Sequence, residues 1–127
     1  MNKNIKEANI NVRIKPFFKQ WIKFTEPFHK LNKGQQEVLS LFLYHHYDLN
    51  QQITNSKILW NMVFDYDTKV KIYSELGIRS SALENILSQL RARNIILDGK
   101  ISSLYIPDLA KDAKQFTIKI NLNITHE

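Results

Sequence analysis

Lys15, Lys19 and Lys23 recur every four residues, the spacing that lines side chains along one face of a helix. Three ammonium groups on one stripe suit the gripping of successive phosphates, because each phosphate neutralised releases condensed counterions. Beside them, Phe17, Trp21 and Phe24 repeat at helical spacing. Aromatic rings placed so either dock on a core or stack on nucleobases, and core packing is the commoner use. The plain reading of the lysines is the wet side of an amphipathic helix.

Other constellations invite chemistry and do not sustain it. His45 and His46 are adjacent, so a helix points them to different faces, and no partner ligand stands at metal-binding spacing. They read as ordinary helix-end histidines. Asp65-x-Asp67 has the look of a metal-holding carboxylate pair, but no third acid or general base stands nearby. Asp67 is better used as a helix cap. Asn123-Ile124-Thr125 is a glycosylation triplet that matters only in a secreted chain. There is no Gly-rich phosphate loop, no HExxH and no GxSxG, and three glycines leave little room for a nucleotide cradle. These features point away from an enzyme and from any metal or cofactor.

The elements that must position these residues belong to a chain of 127 residues, enough for one domain with a real core. An apolar fraction of 43% and a charged fraction of 24% are globular values. The absence of cysteine excludes disulfides and thiolate metal sites and fits a reducing compartment. The N-terminus has no apolar signal core, and no run approaches the roughly 20 apolar residues of a membrane span. A soluble protein of the cytoplasm, or one carried inside a particle, is expected. Ile, Lys and Asn number 16, 14 and 12. Their AT-rich codons suggest a low-GC bacterium or one of its phages. The net charge of +6 is carried entirely by residues 1–33, which hold eight Lys/Arg and two Glu. Residues 34–127 hold ten of each sign, so bulk electrostatics direct a polyanion to the N-terminal quarter.

Residues 9–15 alternate strictly, with Ile10, Val12 and Ile14 opposite Asn9, Asn11, Arg13 and Lys15. Residues 117–124 repeat the design, with Ile118, Ile120, Leu122 and Ile124 on one side. Both predict half-buried strands, sharing one sheet or pairing between subunits. After Pro16 a short helix is expected. Asn32, with Gln35 three residues on, opens a longer one with Val38, Leu39, Leu41, Phe42 and His45 or His46 inward. A polar loop over 48–56 and an apolar turn over 57–64 follow. Asp67 caps a helix over 68–76 that stops at Gly77. Ser81 and Glu84 form a capping box for a helix over 81–93, with Leu83, Ile86, Leu87 and Leu90 inward. Asp98-Gly99 between two apolar runs marks a hairpin.

This order resembles the winged helix-turn-helix family over roughly residues 32–124. The best match is 70–96: Ile72 and Leu76, Gly77 at the turn, Ile78, then Leu83, Ile86, Leu87 and Leu90, with Ile95-Ile96 leading into the wing. Plasmid replication initiators and phage regulators share this order of elements. The resemblance implies an α+β fold of three to four short helices with a small antiparallel sheet that includes the N-terminal strand. Residues 1–31 form a basic strand and aromatic-lysine segment packed on the 32–127 domain, as one structural unit. In that family the second helix of the pair enters the major groove and the wing touches the backbone. The implied base-reading positions are Arg79, Ser80, Ser81, Glu84, Asn85 and Ser88. Phosphate contacts fall to Lys15, Lys19, Lys23, Arg91, Arg93, and to Lys111 and Lys114 at the wing tip.

Asn85 has the chemistry for a bidentate contact to adenine, the serines suit phosphates or bases, and Arg79 suits a guanine or a phosphate. Against this, Glu84 lies mid-face, and Asp108 and Asp112 neutralise Lys111 and Lys114. Double-stranded DNA binding in phage or plasmid replication or transcription control is the leading expectation. The alternative is a virion assembly protein, such as a connector or ring component, that uses the same shape to dock other proteins. Self-association through the edges of strands 9–15 and 117–124 fits both.

Overall fold

A computed structural model describes residues 5–126. Among them the chain forms α1 (Ile14–Phe24), α2 (Glu26–His29), α3 (Lys33–Asn50), α4 (Ser56–Val63), α5 (Tyr66–Leu76) and α6 (Ser80–Ala92). A hairpin of β1 (Ile96–Leu97) and β2 (Lys100–Ile101) and a 3-10 turn at Ser103–Tyr105 follow. The protein is thus α+β, mostly helical with one small antiparallel sheet.

Asn32 starts α3 as expected. Its Oδ1 accepts from Gln35 N–H at 2.9 Å, and Gln35 Oε1 accepts from Asn32 N–H at 3.0 Å, so two orphan donors satisfy one another's side chains. Polar Asp48 and Asn50 obscured how far this helix extends. Leu49 packs on the core, which holds the last turn helical and shortens the expected 48–56 loop. Every residue from Val38 to Leu43 is buried, and α1, α4, α5 and α6 all pack against this one helix.

The shorter elements are set by their ends. Pro16 sits in the first turn of α1, where its missing N–H costs nothing. Thr25 closes that helix by donating its hydroxyl to the carbonyls of Trp21 and Ile22 at 3.2 and 3.0 Å. Asn55 caps α4 through Ile58 N–H at 3.0 Å. The cap of α5 is Asp65, accepting from Thr68 N–H at 2.9 Å. Asp67 was expected in that role; it lies instead in the first turn, where its charge complements the helix dipole. Gly77 ends α5 at φ 65°, with Ile78 N–H reaching back to Tyr73 O at 3.0 Å, the bond of a left-handed terminator. Asn94 ends α6 in the same way at φ 59°, with Ile95 N–H on Leu90 O at 3.0 Å. Asn tolerates that conformation better than most residues.

Asp98 and Gly99 turn the hairpin at φ 54° and 71°, both left-handed as a two-residue type I′ turn demands. Ile96 pairs with Ile101 and Leu97 with Lys100. Ile96 and Ile101 are buried, so this turn chemistry and a two-residue pairing attach the hairpin to the core below α6.

Three further expectations fail. Neither residues 9–15 nor residues 117–124 form a strand, so among the described residues the sheet has no N-terminal member. Ile14 and Lys15 are drawn into α1, because burial of Phe18 and Ile22 extends that helix back past Pro16. The rest of both segments has no third strand to pair with, and two strands alone are marginal in water. The Ser81/Glu84 capping box does not form: α6 begins one residue earlier, with Arg79 at the N-cap and no side chain capping it. Lys111 and Lys114 lie in irregular chain well past the hairpin, whose tip is Asp98-Gly99. Residues 1–4 of the basic arm are outside the described residues.

Leu87 is fully buried on α6 while Ser88 beside it is exposed. Leu87→Ala is expected to lower unfolding free energy by about 2–5 kcal/mol through lost transfer energy and the cavity left behind. Ser88→Ala should stay within about 0.5 kcal/mol. Urea denaturation of the two variants beside the parent tests both figures.

Candidate nucleic-acid interface

Helix α6 divides cleanly along its length. Leu83, Leu87 and Leu90 are buried, and Ile86 packs beside them. Ser81, Glu84, Asn85 and Ser88 are exposed on the other side, and Arg79 and Ser80 are exposed at its start. The six positions named as base readers are therefore brought together on one open face. From Ser81 to Ser88 this face runs roughly 10 Å along the axis at about 1.5 Å per residue, a length of about three base pairs.

Two side chains hold that face in place. Gln35, at the start of α3, donates its amide to Gln89 Oε1 at 2.8 Å. Arg93, just past α6, donates Nη2 to His29 O and Nη1 to Lys30 O at 3.4 Å. Its guanidinium thereby satisfies carbonyls at the C-terminal end of α2. Arg93 was expected to contact phosphate; its fork is turned inward onto the backbone instead. His29 itself is buried and was not singled out from the sequence, since a lone His gives no signal of what surrounds it. Leu31 N–H donates to its Nδ1 at 2.9 Å, so the ring proton sits on Nε2, which donates to Ile22 O at 2.7 Å. Trp21 Nε1–H donates to Tyr105 O at 2.7 Å, tying α1 to the chain that leaves the hairpin.

The charges around α6 are altered by packing. Glu84 accepts an ion pair from Lys69 of α5 at 3.0 Å, which offsets the negative charge that stood against DNA binding. Lys69 was missed because only the packing of α5 on α6 brings the two together. Such a partly exposed pair contributes about 0.2–1 kcal/mol; its larger effect is on local potential. Arg79 and Arg91 are exposed near the two ends of the helix, and Lys100 is exposed on the hairpin.

The lysine stripe is split by its surroundings. Lys15 pairs with Glu75 of α5 and lies over the Tyr44 ring at 5.4 Å, so it fastens the start of α1 to α3 and α5. Lys19 and Lys23 are exposed. Phe17 and Trp21 pack on the core, as Phe18 and Ile22 do, while Phe24 is half exposed. Lys111 donates to Gln51 O at 3.4 Å, and Tyr47 Oη–H donates to Lys111 O at 2.7 Å. Lys111 is thereby tied to the C-terminal end of α3. Lys114 is exposed in irregular chain.

His45 and His46 are not at a helix end, because α3 continues to Asn50. His46 stacks on Trp60 with ring centroids 4.3 Å apart. Burial holds the His46 imidazole below its ordinary value; burial, then the cations Lys71 and Lys15, do the same to His45. Asp48 and Glu75 oppose the shift at His45 without cancelling it. Among the described residues no group of three or more His, Asp or Glu side chains is placed to hold a metal, and no helix is long and apolar enough to cross a membrane. Compared with family models, curated proteins and solved structures, the chain matches none.

Both histidines are held neutral by the fold and bind protons more readily when unfolded. Their contribution to stability is present above about pH 6.5 and is lost as pH falls through their lowered folded values. Thermal melts should therefore fall between pH 7.5 and pH 5, and the His45→Gln, His46→Gln double variant should lose less over that interval than the parent.

Proposed function

We propose that this protein binds double-stranded DNA as a winged helix protein, with α6 as the reading helix, in replication or transcription control of a phage or plasmid. The observation that carries this reading is the open face of α6, on which Arg79, Ser80, Ser81, Glu84, Asn85 and Ser88 stand together over a rigidly held apolar side. The order of α3, α5, a turn at 77–79, α6 and the β1–β2 hairpin supports it. A helix of this girth fits the major groove, where base edges are distinguishable. Asn85 reads adenine through its amide, and Arg79 at the helix start takes a guanine or a phosphate. The uncapped first turn leaves N–H groups that favour a phosphate beside Arg79. Lys69, paired to Glu84, keeps the middle of the face near neutral. Lys19, Lys23, Arg91 and Lys100 are exposed cations able to add backbone contacts. Arg93 and Lys15 act within the protein.

A second reading is favoured by one observation. Apolar side chains at both ends of the chain are exposed, including Ile10, Ile120, Leu122 and Ile124. A virion assembly protein that docks neighbours through these segments has a use for them, and there α6 contacts protein.

Selection from randomised duplex separates the two readings. The DNA reading expects an enriched motif, and Asn85→Ala should weaken binding to that motif by about 1–3 kcal/mol while leaving random DNA nearly unaffected. No enrichment would leave the assembly reading in front.

Salt dependence tests the backbone contacts separately. Lys19→Gln with Lys23→Gln should flatten the plot of log K against log salt by about 2, since each phosphate no longer neutralised removes roughly 0.9 from the slope. Base preference should survive. Equal slopes for parent and variant would remove α1 from the interface.

A further inference from the structure

Two stretches of the described chain are free of regular structure and repeat one pattern. Residues 5–13 lead into α1, and residues 117–124 lie near the other end. Ile10 and Val12 on the first, and Ile118, Ile120, Leu122 and Ile124 on the second, are between 37% and 82% exposed. Their spacing is that of one strand face. Both stretches meet α1 at one place. The first enters it at Ile14, and the second departs from Phe116, whose ring lies edge-on to Phe17 at 5.3 Å and to Trp21 at 5.7 Å. One segment arrives where the other leaves, which is how antiparallel neighbours run.

We propose that a second copy of this chain completes these segments. On association, the arm and tail of each copy pair as an antiparallel ribbon, and the two ribbons close apolar face to apolar face. A ribbon of two strands is marginal alone, and a facing layer about 10 Å away supplies the missing burial. Area and pattern select the occupant. The six side chains are largely exposed, and together their area is of the order of the roughly 800 Å² that each partner of a standard-size interface buries. A facing layer must alternate with the same period, and the second copy brings the same six residues. The outward sides do not oppose it: Asn9, Asn11, Thr117, Asn121 and Asn123 are uncharged, and Arg13 and Lys119 remain in water. A two-fold arrangement uses each patch once and closes on itself. The inference stands whether or not α6 reads DNA.

Sedimentation equilibrium of the full chain is expected to give twice its mass of 15.0 kDa. Ile120→Glu with Leu122→Glu should return the single-chain mass while leaving the thermal melt of the helical core in place, and Asn121→Glu should stay dimeric. A parent that stays single at hundreds of micromolar, or that forms a larger ring, overturns the proposal. So does a dimer indifferent to the paired glutamates.

Discussion

Val38 through Leu43 are six consecutive residues without a wet face, and an α-helix tolerates that only when neighbours surround it. A surface helix keeps one stripe inside; here every direction around α3 must be filled. Contact from α1, α4, α5 and α6 is therefore a requirement that this run imposes. Each large side chain in it is worth about 1.5–3 kcal/mol when removed from water, against a typical net stability of about 5–15 kcal/mol for a whole domain. Ser40 is the polar member of the run, and it turns its hydroxyl back to Glu37 O at 2.8 Å, so nothing polar is left unpartnered there.

The placement of α6 follows from α3. Its leucines fill one sector around the central helix, and polar ties then fix its rotation: Gln89 on Gln35, and Arg93 on the carbonyls of His29 and Lys30. Because His29 accepts through Nδ1 and donates through Nε2, one tautomer satisfies both of its bonds. The corner that receives Arg93 is consequently stiff. A polar face carried on a helix packed along its leucine stripe and tied at its C-terminal end is a preorganised surface, which reduces the ordering cost of binding.

Features encoded within a few residues were legible in the sequence. The Asn32–Gln35 box, the Gly77 terminator, the leucine stripe of α6 and the Asp98-Gly99 turn each depend on local chemistry, and each is present in the structure. Features that depend on distant packing were not. Ser81 and Glu84 have the right spacing for a capping box, yet Lys69 offers Glu84 a partner from another helix, and α6 starts a residue sooner. Arg93 and Lys15 looked like phosphate ligands because a sequence shows charge without showing which carbonyl or carboxylate lies across from it. The strand patterns at 9–15 and 117–124 were real alternations, but a strand needs a partner that pattern alone does not supply. The exposed polar face of α6 was legible as the side opposite its leucine stripe, while its proposed use on DNA comes from the resemblance to a family.

The central position of α3 has a consequence for the chain as it is made. Synthesis delivers α1 before α3 and α6 well after it, at about 5–20 residues per second. The apolar run of α3 must therefore wait several seconds for its last cover. Helix α1, bearing Phe18 and Ile22, is already available when that run emerges, and its packing on α3 is the most extensive in the fold. The order of the elements along the chain thus places a ready lid ahead of the segment most prone to stick to other nascent chains.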